Sequence, residues 1–301
     1  MPTSLAWSTG NGRFLDGRRV STLRAHWTNL PDYLIDRSTR LDVSVLSLVV
    51  PFGLLPASDA RLSRSAEWLL QNRTVSGDPN AMARWTLEPS FENHHSSKIH
   101  LQDADSLGTL WMARYLIQHG RETGQGRLWN RALAMLDGVI GRLQPLGLSM
   151  RTMAPAVDPA SLGRMATSHT SGSWTLHGML IETLLDFAGL DYKAVGRTLT
   201  LDPILPTSWA HTGLTQMFPC GEVSYRLERP IGGTVYQLSL RANLRHRVHL
   251  TIGVTCPNLP QLGPWQASTP GPEPVFRPRT GRISFSIDLP EGESSHNWTW
   301  G

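Results

Sequence analysis

The sequence predicts an α+β chain in two parts: a partial (α/α)6 toroid, about half a ring, over residues 1–190, then a C-terminal antiparallel β-sandwich-like domain over residues 191–301. Three features predict it. Before residue 190, apolar residues recur at helical spacing behind capping residues. These helical stretches come in pairs joined by alternating short and long loops. At about Asp191 the pattern changes to apolar–polar alternation broken by Pro and Gly.

Asp42 to Val50 is a short apolar segment. Ser58-Asp59 offers side-chain oxygens to the unsatisfied first N–H groups of a helix, which is expected to run to Asn72. Gly77 to Gln102 is polar, with His94, His95 and His100, and reads as a long loop of the kind that carries function. Asp103 is placed to cap the next helix, which reaches about Gly120 with Leu107, Leu110, Trp111, Arg114 and Leu116-Ile117 at helical spacing. Another helix is expected from about Arg127 to Leu143, with Leu128, Ala132, Met135, Leu136, Val139 and Ile140 on one face. A second long loop covers Gln144 to Gly172. Ser173 to Phe187 is then a strongly apolar helix closed by Gly189, since glycine readily takes the left-handed conformation of a C-cap. Roughly five to six helices fill only half of a closed ring, so an apolar face is left to be covered. A homo-oligomer, or a separate chain carrying an N-terminal half, is expected to cover it.

Beyond Asp191, Thr198–Leu201 alternates. Val223–Leu227 and Tyr236–Leu240 flank a Pro-Ile-Gly-Gly turn at Pro230–Gly233, which is a hairpin signal. Val248, Leu250, Ile252 and Val254 alternate, as do Ile283, Phe285 and Ile287. Pro257 to Arg279 is rich in Pro and Gly and reads as an outward loop. About five strands in this stretch suit a sandwich.

Composition narrows the function classes. Hydrophobic residues make up 40% of the 301, which is enough for a core and excludes global disorder. The longest apolar stretch, Val43 to Leu55, is interrupted by Pro51 and Gly53, so no membrane span is expected. Met1 to Phe14 lacks a charged start followed by an apolar run, so a cytoplasmic location is expected. The formal charge is +4, but the arginines are scattered, so no nucleic-acid partner is expected. Cys220 and Cys256 match no zinc spacing and are expected to be buried, reduced residues. The 11 tryptophans suit either a core or stacking on sugar rings, and composition does not choose between these uses.

Several stretches resemble known families. Gly12-Arg13-Phe14, Arg40 to Leu46 (RLDVSVL), and Pro51 to Pro56 with Asp59 resemble glycoside hydrolase family 15, the glucoamylases and their relatives. Arg84-Trp85 resembles that family's Arg-Tyr pair, and Leu107 to Gly120 resembles the helix that follows it. Ser168-His169-Thr170 to Trp174, Phe187 to Leu190 and Leu199 to Trp209 resemble the end of the barrel and the following sheet in the family 65 disaccharide phosphorylases, with similar ends in debranching enzymes. The resemblance covers most of residues 10 to 240. It implies an (α/α)6 barrel, an oligosaccharide or glucan partner, and inverting chemistry on α-glucosidic bonds.

Inverting hydrolysis uses one carboxyl group to protonate the leaving oxygen and another to activate water. In family 15 the acid stands in a Trp-Glu-Glu segment, which would lie upstream of Met1. The base precedes a Val-Asp-Pro that is matched by Val157-Asp158-Pro159, and Pro155 occupies its position. Three explanations stay open: a piece of a longer or split enzyme, a non-catalytic relative that still holds sugar, or an enzyme using other carboxylates. Glu92 and Asp105 are the catalytic candidates for the last, with Glu88 and Asp103 nearby. The resemblance assigns substrate contact to Arg84, Trp85 and Trp174. In a phosphorylase, phosphate itself attacks, and Ser168-His169 ahead of a helix could hold it. Glu92 with His94, His95 and His100 has no ligand spacing, so no metal is expected, nor any cofactor.

Overall fold

A computed structural model describes residues 43–72, 74–75, 78–82, 104–141, 152–153, 173–231, 233–257, 259, 261–268 and 273–301. The chain is α+β. It divides into two units, one of residues 1–118 with 131–181 and the other of residues 119–130 with 182–301.

The described part of the first unit starts with a 3-10 turn, Val43–Leu48, followed by helix α1, Ala60–Asn72. Asp59 starts α1 as the sequence predicts. Its Oδ1 accepts from the N–H of Arg61 at 2.9 Å, and its carboxylate also takes the Arg61 guanidinium at 2.9 and 2.6 Å. Leu62, Ala66 and Leu69 form the buried stripe. Strands β1, Thr74–Val75, and β2, Asp78–Met82, pair antiparallel, and β2 falls inside the stretch Gly77–Gln102 that reads from sequence as a loop. Strand β3, Ala104–Asp105, runs into helix α2, Ser106–Thr123, and pairs with β4, Thr152–Met153. The cap of α2 is therefore Asp105, whereas the sequence pointed to Asp103, which lies outside the described residues. Met112 to Ile117 are buried without a break, so α2 is enclosed there on all sides. Tyr115 anchors it through a hydroxyl that donates to the Ala57 carbonyl at 3.1 Å.

Helix α3 is Gly126–Ile140 and α4 is Ser173–Ala188. On α3, Trp129, Ala132, Met135, Leu136 and Val139 are buried, while Ile140, expected on that face, is exposed. Gly189 closes α4 with φ +63°, and its N–H reaches the Leu185 carbonyl at 2.8 Å. Four α-helices stand among the described residues, against the five to six expected.

The second unit holds two five-stranded sheets. One contains β5 (Leu190–Lys193), β6 (Thr198–Leu201), β10 (Val248–Thr255), β13 (Arg282–Leu289) and β12 (Val275–Arg277). Its order is β12-β13-β10-β6-β5, and β6 runs parallel to β10 while the other pairs are antiparallel. The other contains β7 (His211–Phe218), β8 (Gly221–Glu228), β9 (Tyr236–Leu244), β14 (Gly292–Trp300) and β11 (Gln266–Ala267), in the order β11-β14-β9-β8-β7. The predicted hairpin is β8–β9. Strands β5, β7, β11, β12 and β14 add to the five expected.

Alternate residues of both sheets share one core. Leu199, Leu201, Leu250, Ile252 and Ile283 come from one sheet, and Val223, Leu227, Leu238 and Leu240 from the other. Aromatic rings close one end of it. Tyr236 and Trp300 stack with centroids 5.9 Å apart, and the Trp300 indole N–H donates to the Cys256 sulfur at 3.4 Å. Both cysteines are buried and free. Trp129, Trp298 and Trp300 are thus core residues, which settles those three of the 11 tryptophans as packing. The turn between α2 and α3 is fixed by close approaches of glycine. A Cβ at Gly124, whose φ is +75°, would lie 2.4 Å from the Thr280 carbonyl, and one at Gly126 would lie 2.5 Å from Pro257 Cγ.

Candidate functional site

Among the catalytic candidates, Asp105 is the one the structure describes. Its side chain is 4% exposed. Oδ1 accepts the Leu107 N–H at 3.2 Å, which satisfies a donor in the first turn of α2. The positive end of the helix macrodipole favours a carboxylate at this position. Its other oxygen, Oδ2, lies over Gly108, where a Cβ would approach it to 3.2 Å and Val43 Cγ1 to 2.8 Å. Glycine at 108 therefore leaves room for both the carboxylate and the 3-10 turn.

The backbone of Asp105 ties three separate stretches together. Its carbonyl accepts the Thr109 hydroxyl at 2.7 Å, and that hydroxyl accepts the Met82 N–H at 3.0 Å. Across the β3–β4 pair, Asp105 stands opposite Thr152. The end of β2 at Met82, strand β4 at Thr152, and the 3-10 turn at Val43 all meet at the head of α2. A buried carboxylate held this way can accept a hydrogen bond or take a proton from a hydroxyl or a water.

Arg84, Trp85, Glu92, Pro155, Ser168 and His169 lie outside the described residues, as do His94, His95 and His100. Trp174 is in the first turn of α4. Among the described residues, no three His, Cys, Asp or Glu gather as a metal ion would require. No helix among them is long and apolar enough to cross a membrane.

A second feature escaped sequence reasoning. The outward face of β8, β9 and β14 carries an open groove of about 450 Å³. Register aligns Glu222, Asn243 and Glu293 in one cross-strand row and Ser224, Arg241 and Ser295 in the next. The groove offers carboxylate acceptors beside guanidinium and amide donors, a set able to bond vicinal hydroxyls. Along the sequence these residues look like the solvated half of an alternating strand. Only the pairing register reveals the rows.

No family model matches the chain, and no curated protein does. Among solved structures, the chain is similar to an α-L-rhamnosidase from Streptomyces avermitilis complexed with L-rhamnose, at 17% identity and TM-score 0.44, over 85% of this chain and 21% of that one. It is also similar to a GH127 β-L-arabinofuranosidase from Geobacillus stearothermophilus T6, at 10% identity and TM-score 0.38, over 86% of this chain and 41% of that one. A wild-type glycosidase matches at 15% identity and TM-score 0.37, over 56% of this chain and 44% of that one. The chain spans less than half the length of each of these structures. The likenesses are partial, and no residue role passes through them.

Proposed function

We propose that this chain is a glycoside hydrolase-like protein of carbohydrate metabolism acting on α-glucosidic bonds, with Asp105 as the carboxylate of its sugar site. The observation that carries the reading is the convergence at Asp105. Three stretches that resemble family 15 independently, around Val43, Arg84 and Pro155, are each within a few residues of a contact to the head of α2. In this reading Asp105, which stands opposite Thr152 across the β3–β4 pair, is the carboxylate that Pro155 cannot supply. In this reading Arg84 and Trp85 hold the sugar, with Trp174 as a further contact, and Asp105 acts on the attacking water. The helices of the first unit are then part of an (α/α) toroid that is completed by an N-terminal half or by a second copy. Should phosphate attack instead of water, Ser168 and His169 are the residues to hold it.

The experiment is an assay on maltooligosaccharides, with and without phosphate, of the protein purified together with any copy or partner chain that completes the toroid, comparing wild type with Asp105→Asn. Asparagine caps a helix about as well as aspartate but carries no base. Turnover is expected to fall on the order of 100-fold or more, as general-base removal does, with thermal stability nearly unchanged. Undiminished turnover in a folded Asp105→Asn variant would remove Asp105 from the site.

One observation favours a second reading, a non-catalytic carbohydrate-binding subunit: the polar groove of β8, β9 and β14. It predicts maltooligosaccharide binding without turnover, weakened by Arg241→Ala and indifferent to Asp105→Asn.

A further inference from the structure

The geometry points to a site for a small tetrahedral oxyanion in the second unit, in a cavity lined by Arg229, Arg127 and the start of helix α3. The ligand is a phosphate dianion, either inorganic phosphate or the phosphoryl group of a sugar phosphate. The site is independent of Asp105 and of the glycosidase reading.

Arg229 is the central group. It follows the end of β8 and is 5% exposed. Its Nη1 donates to the Tyr236 hydroxyl at 3.2 Å. Its Nη2 reaches the Pro206 and Thr207 carbonyls only at 3.4 Å, which is long for such bonds. Its Nε is buried and has no hydrogen-bond partner. Among the described residues, no carboxylate lies within ion-pair distance of it. Another arginine fork of this unit, the partly buried Arg282, does have its carboxylate, Asp202. A guanidinium taken out of water without an anion is costly, and an orphaned donor beside a cavity indicates a missing partner.

Arg229 lines a cavity of about 240 Å³, enough for a phosphoryl group. On its wall are Arg127 and the two glycines of the α2–α3 turn, Gly124 and Gly126, with no acidic residue. Gly126 is the first residue of α3, a 15-residue helix with no acidic residue in its first turn. The first N–H groups of a helix have no intrahelical acceptor, and the macrodipole is positive there. Two arginines and a helix start line the same space, and the Arg127 guanidinium donates to Gln125 Oε1 at 3.0 Å. That combination suits a dianion with several acceptor oxygens, and it disfavours a cation or a neutral sugar. Thr207, Leu205 and Trp129 complete the walls. Asn130 Oδ1 holds the Thr207 backbone and hydroxyl at 3.0 and 3.1 Å, so this side of the cavity is fixed before any ligand arrives.

The test is calorimetric titration of the full chain with inorganic phosphate, glucose 6-phosphate and acetate, on wild type, Arg127→Ala and Arg229→Gln. Wild type is expected to bind phosphate saturably at one site per chain, with acetate weaker by about tenfold or more. Arg127 is exposed, so its alanine variant keeps the fold and should weaken phosphate about tenfold. Arg229→Gln should abolish binding; if that variant does not fold, Arg127→Ala decides. Glucose 6-phosphate binding more tightly than phosphate identifies a sugar phosphate as the ligand, and equal binding identifies inorganic phosphate. No saturable phosphate binding, acetate binding equally well, or phosphate affinity unchanged in Arg127→Ala would each overturn the assignment.

Discussion

Arg282 and Asp202 face each other as a two-pronged pair: Nη1 and Nη2 of the arginine meet Oδ1 and Oδ2 of the aspartate at 3.1 and 3.0 Å. Asp202 also faces Arg121, whose Nε lies 3.9 Å from Oδ2 and whose Nη2 donates to the Asp202 carbonyl at 2.8 Å. The aspartate therefore joins the end of α2 to strand β13, across the second unit. Its side chain is 19% exposed, so water does not replace the lost partner well. Asp202→Ala should cost about 2 kcal/mol in urea unfolding, because it takes the carboxylate from the partly buried Arg282 and removes the negative charge facing Arg121, which keeps its bonds to backbone carbonyls. Asp202→Asn should cost less, since one bond of the fork survives.

Gly189 is constrained by the same segment. Its φ is +63°, and a Cβ there would lie 1.9 Å from the Asp202 carbonyl oxygen. Gly189→Ala should destabilise by at least about 2 kcal/mol, from left-handed strain and from the clash with backbone that cannot rotate away. Gly178, on α4, is the control: a Cβ added there would meet nothing within 4 Å, and alanine should be neutral or stabilising. Thermal or urea unfolding of the two variants side by side checks both.

Asp59 gives a pH dependence of known sign. The hydrogen bond from the Arg61 side chain, with help from backbone N–H groups, lowers its carboxyl from the ordinary 3.8 to about 2. A depressed folded pKa means stability that is fully present above pH 3.8 and lost as pH falls toward 2. Asp59→Ala should cost about 1 kcal/mol at neutral pH, and the gap from wild type should close in acid unfolding below pH 3.8.

The cysteines give a chemical test of the sheet core. Burial pushes the Cys256 thiol up to about 12, and burial likewise raises Cys220. Neither is a thiolate near neutral pH, and reactivity follows the thiolate. In the folded protein both should resist a thiol-specific reagent at pH 8, and both should react at once in denaturant. Rapid labelling of Cys256 in the native state would contradict the packing around Tyr236 and Trp300.

How far the sequence could be read depends on where side-chain pattern and tertiary demand agree. The caps at Asp59 and Gly189 are local chemistry and are legible. So is the β8–β9 hairpin, where alternation and a Pro-Gly turn agree. Strand β7 is not, because Gly213 reads as a breaker. The structure needs glycine there, since a Cβ would approach the Tyr225 carbonyl to 2.7 Å. Strand β14 is hidden because Ser294 and His296 take inward-alternating positions before Trp298 and Trp300. The shift of the α2 cap from Asp103 to Asp105 follows from the β3–β4 pairing, a long-range contact with no local signature. The candidate site divides the same way. Asp105 is visible in the sequence as a carboxylate beside the polar stretch, but its meeting with Met82 and Thr152 requires the fold. Arg229 carries no signal at all, because an arginine at a strand end looks like any surface charge until its burial is known.

The most direct test of the glycosidase reading is calorimetric titration of the folded chain with a maltooligosaccharide series, wild type against Arg84→Ala. Saturable binding should strengthen with oligosaccharide length and fall about tenfold or more in Arg84→Ala. Absence of saturable sugar binding in a folded sample, or binding untouched by Arg84→Ala, would contradict it.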